Sequence, residues 1–149
     1  MTDTQTTISD IKIIYPAAEV FVLSFQHRLT AEQARIGSGV TQLVNPVPIH
    51  PPVSTCYMVA MYNGEVVGVA TINRAEEMCE LYRLYVLPEY RRHHVGATLV
   101  ERVIFEMQSQ GLKRMKVEAI HSSAPFWEKM AQRHRFADDS CLQNIIFIL

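Results

Sequence analysis

The sequence predicts an α/β protein, a mixed sheet with helices on both faces. Three observations predict it. Short β-branched apolar runs are interspersed with stretches of apolar residues at helical spacing. An Asn-Gly dipeptide parts two of the runs as a hairpin turn would. The order strand, helix, helix, three strands, helix, strand, helix, strand mixes both element types along the chain. The 149 residues are 48% hydrophobic and 19% charged, which suits one globular domain over 1–149 rather than a disordered chain.

Ile8 to Tyr15 is β-branched and stops at Pro16, so a first strand is expected there. Pro16-Ala-Ala-Glu opens a helix to about Leu29, with Phe21, Phe25 and Leu29 on one face. Thr30-Ala-Glu-Gln33 has the form of a capping box, which predicts a second short helix ending at Gly37. From Gly37 to Pro52 the chain holds four of its seven prolines and reads as a loop. Thr55 to Tyr62 and Glu65 to Asn73 flank Asn63-Gly64, residue types suited to the positive φ angles of a type I′ turn. Met78 to Leu87 is a third strand of the group. In it Leu81, Leu84 and Val86 break strict alternation, and a β-bulge would return them to one face, although burial on both sides gives the same pattern.

Val95, Leu99, Val103 and Met107 line one face of a helix from Val95 to Gln110, stopped by Gly111. Leu112 to Ile120 is a strand, Ser122 to about Arg133 a helix, and Cys141 to Leu149 a final strand.

Charge is uneven along the chain. Residues 1–82 carry four basic and eight acidic side chains, residues 83–135 ten basic and five acidic, within a net charge of -1. A basic middle in a neutral protein suits a local anionic ligand, and no nucleic-acid partner is expected. Cys56, Cys79 and Cys141 are far apart and odd in number, which argues against a disulfide framework and for reduced thiols in a cytoplasmic setting. The six histidines show no ligand-like spacing, so no metal site is expected. The longest apolar runs fall far short of the roughly 18 residues a membrane span needs, and the polar N-terminus has no signal-peptide pattern.

The segment Leu84-Tyr-Val-Leu-Pro-Glu-Tyr-Arg-Arg-His-His-Val-Gly-Ala-Thr-Leu99 is a strand, a basic turn and a helix start. First-turn amides lack intrahelical acceptors and the helix dipole favours anions there, so with Arg91 and Arg92 this is a candidate phosphate site. Gly96 would let a ligand approach the backbone closely. A solvated basic turn is the plainer reading.

The segment resembles motif A of the GNAT superfamily of acyl-CoA-dependent N-acyltransferases, strand, V-x-P-x-Y-R/Q, then x-x-G-x-G/A at a helix start. Here it reads Val86-Leu-Pro88-Glu-Tyr90-Arg91-Arg92-His93-His94-Val95-Gly96-Ala97. The preceding hairpin is similar to the family's second and third strands, and Ala124-Pro-Phe-Trp-Glu-Lys-Met130 to its motif B helix. The resemblance covers residues 55–136 and implies a mixed sheet of about six to seven strands with about four helices, and acetyl-CoA as the cofactor. By the same resemblance Leu84, Tyr85 and Val86 pair with the pantetheine arm, while Arg91, Arg92, His93, His94, Val95, Gly96 and Ala97 hold the pyrophosphate. Ser122 or Ser123 lies near a family cofactor contact, or simply caps the helix.

Two positions depart from the pattern: His94 replaces the first glycine, and Trp127 the tyrosine that protonates the leaving thiolate in many members. Transfer to an amine also benefits from a base, for which Glu80 and Glu118 are the candidates. Each is equally readable as a solvated or salt-bridged carboxylate. Cys79, Tyr82, Tyr85 and His121 are weaker candidates for chemistry. The expected activity is transfer of an acetyl or longer acyl group to an amine of a small molecule or protein, by monomer or homodimer. A CoA-binding sensor without turnover is the second reading, motivated by His94 and Trp127.

Overall fold

The computed structural model describes residues 10–37, 43, 54–119, 123–137 and 144–149. Six strands run in the order of the chain: β1 (Lys12–Ile14), β2 (Ser54–Tyr62), β3 (Glu65–Arg74), β4 (Met78–Val86), β5 (Arg114–Glu118) and β6 (Asn144–Ile148). Three α-helices, α1 (Glu19–Arg35), α2 (Val95–Ser109) and α3 (Ala124–Arg133), and the 3-10 segment Pro88–His93 complete the described elements. Every strand pair is antiparallel except β4–β5. The expected mixed sheet with helices on both faces is therefore present. Ile8, Ile120, His121, Ser122, Cys141 and most of the 37–52 connection lie outside the described residues.

Alternation along β2 sorts the core into two layers. Tyr57 and Val59 face α1 with Val22, Phe25 and Leu29, whereas Met58 and Ala60 face α2 and α3 with Leu99, Val103, Met107, Trp127 and Met130. Asn63 and Gly64 take φ of 49° and 77°, as the hairpin turn requires.

Two expectations about the first helix are corrected. α1 is one continuous helix, and Thr30 lies inside it, its hydroxyl accepting a 3.1 Å hydrogen bond from Gln26 Nε2. The capping-box residues are tolerated in a helix interior, and burial of Leu29 beside them holds the turn in place. The inward face is Val22, Phe25 and Leu29, while Phe21 is 39% exposed. The first strand is also shorter within the described residues, beginning at Lys12.

The β4 bulge is real. Ile72 pairs with Leu81 and Thr71 with Arg83, so Tyr82 is the extra residue. That insertion resets the alternation, and Leu81, Leu84 and Val86 all reach the α2/α3 layer.

Candidate active site

The parallel pairing of β4 and β5 covers only Met78↔Arg114 through Leu81↔Val117. Beyond the bulge, Arg83 to Val86 continue along β3 but have no strand partner on their other edge among the described residues. Leu87 N–H donates to Val67, so by strand alternation Leu84 and Val86 turn their backbone groups to the open edge. The Val86 carbonyl agrees, because it accepts from Arg91 Nε at 3.0 Å.

The open edge runs directly into the 3-10 segment and the start of α2. His94 is the N-cap, in the left-handed region at φ 60° and ψ 18°, and its side chain makes no cap hydrogen bond. No acidic residue stands in the first turn of α2, and the first intrahelical bond shown there is Thr98 N–H to the His94 carbonyl, 2.9 Å. The amides of Val95, Gly96 and Ala97 precede that bond and face an environment enriched by Arg91, Arg92 and His93. This arrangement can take an anion.

Several expected side chains have more specific positions than the sequence shows. Arg91 is tied to the strand end, its guanidinium 5.2 Å from the Tyr85 ring. Arg92 and His94 are exposed. A Cβ at Gly96 would rest 3.4 Å from the Phe126 ring and 3.7 Å from Val86 Cγ2, ordinary contact distances, so α3 and β4 both border this first turn of α2. Ser123 occupies the α3 N-cap position without a side-chain cap bond. Trp127 is 4% exposed and packs between Phe126 (centroids 4.9 Å apart) and Phe147 (6.3 Å), inside the core.

The two carboxylates share a face. Cys79, Leu81, Met115 and Val117 point into the α2/α3 layer, which turns Glu80, Lys116 and Glu118 to the opposite side. Glu80 is half-buried and lines a cleft of about 380 Å³ with Asn73, Ala75, Met78, Cys79 and Lys116. Glu118 is exposed at the end of β5 and is not among the lining residues. Asn73 and Lys116 are not legible as site residues in the sequence. The period of β5 turns Lys116 away from the core, but its partner Glu80 is 36 positions away along the chain.

Cys79 is 1% exposed, and burial pushes its thiol up from an ordinary 9.0 to about 12. It is a core residue, not a nucleophile. The folded state holds this proton more tightly than the unfolded chain, so the stabilisation is complete below 9.0 and is lost as pH rises toward about 12. Denaturant midpoints measured from about pH 8 to about pH 11 should fall, more shallowly in Cys79→Ala. An equal slope in the variant would mean that other groups cause the loss.

Among the described residues no cluster of three His, Cys, Asp or Glu side chains could hold a metal ion, and no helix is long and apolar enough to cross a membrane. Comparison with known proteins bears on the same region. A family model described as the acetyltransferase (GNAT) family matches residues 26–131. No curated protein matches the chain. Among solved structures, an aminoglycoside acetyltransferase from an uncultured soil metagenomic sample, in complex with trehalose, superposes with a TM-score of 0.65 at 16% identity, covering 90% of this chain and 94% of that one. A GNAT-family acetyltransferase from Staphylococcus aureus gives 0.62 at 16%, covering 93% and 97%. One from Elizabethkingia anophelis with acetyl-CoA bound gives 0.58 at 15%, covering 95% and 98%. These identities speak for the fold. The family match extends from α1 across the open β4 edge, the uncapped α2 and most of α3, and the chain belongs to the GNAT acetyltransferase family.

Proposed function

We propose that the chain, acting as one domain over 1–149, transfers an acetyl group from acetyl-CoA to an amine of a small molecule or protein. The observation that carries this reading is a β4 edge without a strand partner among the described residues, leading directly into a helix start with no side-chain cap bond and no acidic residue in its first turn. The residues fit the cofactor. The outward backbone groups of Leu84 and the Val86 N–H offer an extended arm β-like pairing beside Tyr85, and the amides of Val95, Gly96 and Ala97 with Arg92, His93 and His94 offer the pyrophosphate its donors. Arg91 shapes this cradle by holding the strand end. Acetyl-CoA supplies the activated acyl thioester.

The protein's own contribution is position, polarisation and proton movement. An outward amide at Leu84 or Val86 is placed to polarise a carbonyl lying along the edge. Glu80, in the cleft before the bulge, takes a proton from the bound ammonium, directly or through water, so that the neutral amine attacks the carbonyl, and Glu118 is the second candidate. An acceptor amine near pKa 10.4 is mostly protonated at neutral pH, which is why a carboxylate here is useful. Trp127 supplies packing, and the departing thiolate takes its proton from water or from the nitrogen, which becomes cationic as it bonds to the carbonyl carbon.

Calorimetric titration with acetyl-CoA, paired with thiol release over an amine panel, tests the reading. Arg92→Glu should weaken acetyl-CoA binding about tenfold or more. His94→Gly should keep or improve it, because glycine removes the left-handed strain. Wild-type affinity in a folded Arg92→Glu protein would overturn the cofactor placement, and tight binding without turnover of any amine would favour the sensor reading.

A further inference from the structure

We infer that the cleft beside the bulge seats an acceptor bearing both an amine and a carboxylate, with Lys116 as the residue that selects it. This rests on the acetyltransferase reading and names its acceptor class. Glu80 and Lys116 are register partners on the parallel β4–β5 pair, both half-buried and both lining the cleft. Neighbouring strands lie about 4.8 Å apart, so an acidic and a basic residue occupy adjacent positions of one face next to the last paired position before the strands part.

Asn73 completes the wall. Its side-chain oxygen accepts the Thr55 hydroxyl at 2.8 Å, which identifies its other end as an amide with two N–H donors. The cleft therefore presents one anionic acceptor, Glu80, and two donor groups, Lys116 and Asn73, around the apolar Met78 and Ala75. That pattern is the complement of a molecule with an amine at one end and a carboxylate a few bonds away. The amine lies toward Glu80 and the open edge, and the carboxylate is taken by Lys116. A polycation would set a second ammonium against Lys116, a like-charge contact that disfavours it.

The test compares 4-aminobutyrate, 1-aminobutane and 1,4-diaminobutane, similar chains ending in a carboxylate, a methyl and a second ammonium, by thiol release from acetyl-CoA. Wild type should prefer 4-aminobutyrate to both others by about tenfold or more in kcat/KM. Lys116→Gln should raise the KM for 4-aminobutyrate and bring the ratios close to one. Lys116→Glu should invert the preference toward 1,4-diaminobutane, and Lys116→Arg should restore the original order. A wild-type preference for the diamine, ratios unmoved by Lys116→Gln, or no turnover of any probe by protein that binds acetyl-CoA would each overturn the inference. Failure to bind acetyl-CoA would instead sink the acetyltransferase reading beneath it.

Discussion

Glu80→Gln is expected to lower kcat/KM by about 10²–10⁴ and to remove the acidic limb of its pH profile. The substitution keeps the shape of the cleft wall and removes only proton acceptance. Glu80 is half-buried in a cleft, one strand position before Leu81↔Val117, the last pair that holds β4 to β5. Glu118 shares that face but is exposed beyond the last paired position, so Glu118→Gln should change the rate little. Acetyl-CoA affinity should survive in both variants, which separates loss of proton transfer from loss of donor binding. Steady-state rates across pH decide the matter. If both variants keep wild-type rates and profiles, water does the work of the base.

Trp127→Ala is expected to cost about 3–5 kcal/mol of folding stability, measured by denaturant unfolding. The indole fills the space between Phe126 and Phe147 and joins α3 to the layer beneath α2. Its removal leaves a cavity that helix packing only partly closes. Trp127→Phe preserves the aromatic packing and should slow single-turnover acyl transfer by less than about tenfold, or about 1.4 kcal/mol of barrier. A folded, cofactor-binding Trp127→Phe protein more than about a hundredfold slower would make the indole N–H part of the chemistry. A Trp127→Ala protein of wild-type stability would contradict the core placement.

Features set by neighbours in the chain are legible in the sequence itself. Asn63-Gly64 announces its own turn because a turn is a local backbone event, and the α2 start is legible for the same reason. The spacing of Leu81, Leu84 and Val86 admits a bulge and burial on both sides equally, and the β3 register decides between them. A division of α1 is suggested only because Thr30-Ala-Glu-Gln33 carries a helix-start pattern, which burial of its neighbours overrides. Phe21 sits at an i+4 spacing that fits an inward face as well as the true one does, so periodicity cannot separate the two. The cleft is hidden more deeply. Pairing Glu80 with Lys116 requires β5 to return parallel to β4 after α2, and no local pattern specifies that register. The Arg91 bond to the Val86 carbonyl likewise depends on how the 3-10 segment folds back.

The short parallel contact also has a mechanical meaning. Nine paired positions join β2 to β3, but four join β4 to β5. Seven join β3 to β4, so β2, β3 and β4 form the widely laddered part of the sheet and β5 is attached to it by a narrower row. α2 is the chain's crossover between β4 and β5 and packs chiefly on β2, β3 and β4. The Met78–Leu81 row is the whole ladder between β4 and β5 among the described residues, so whatever lies along the edge beyond it rests on a strand anchored from β3 alone.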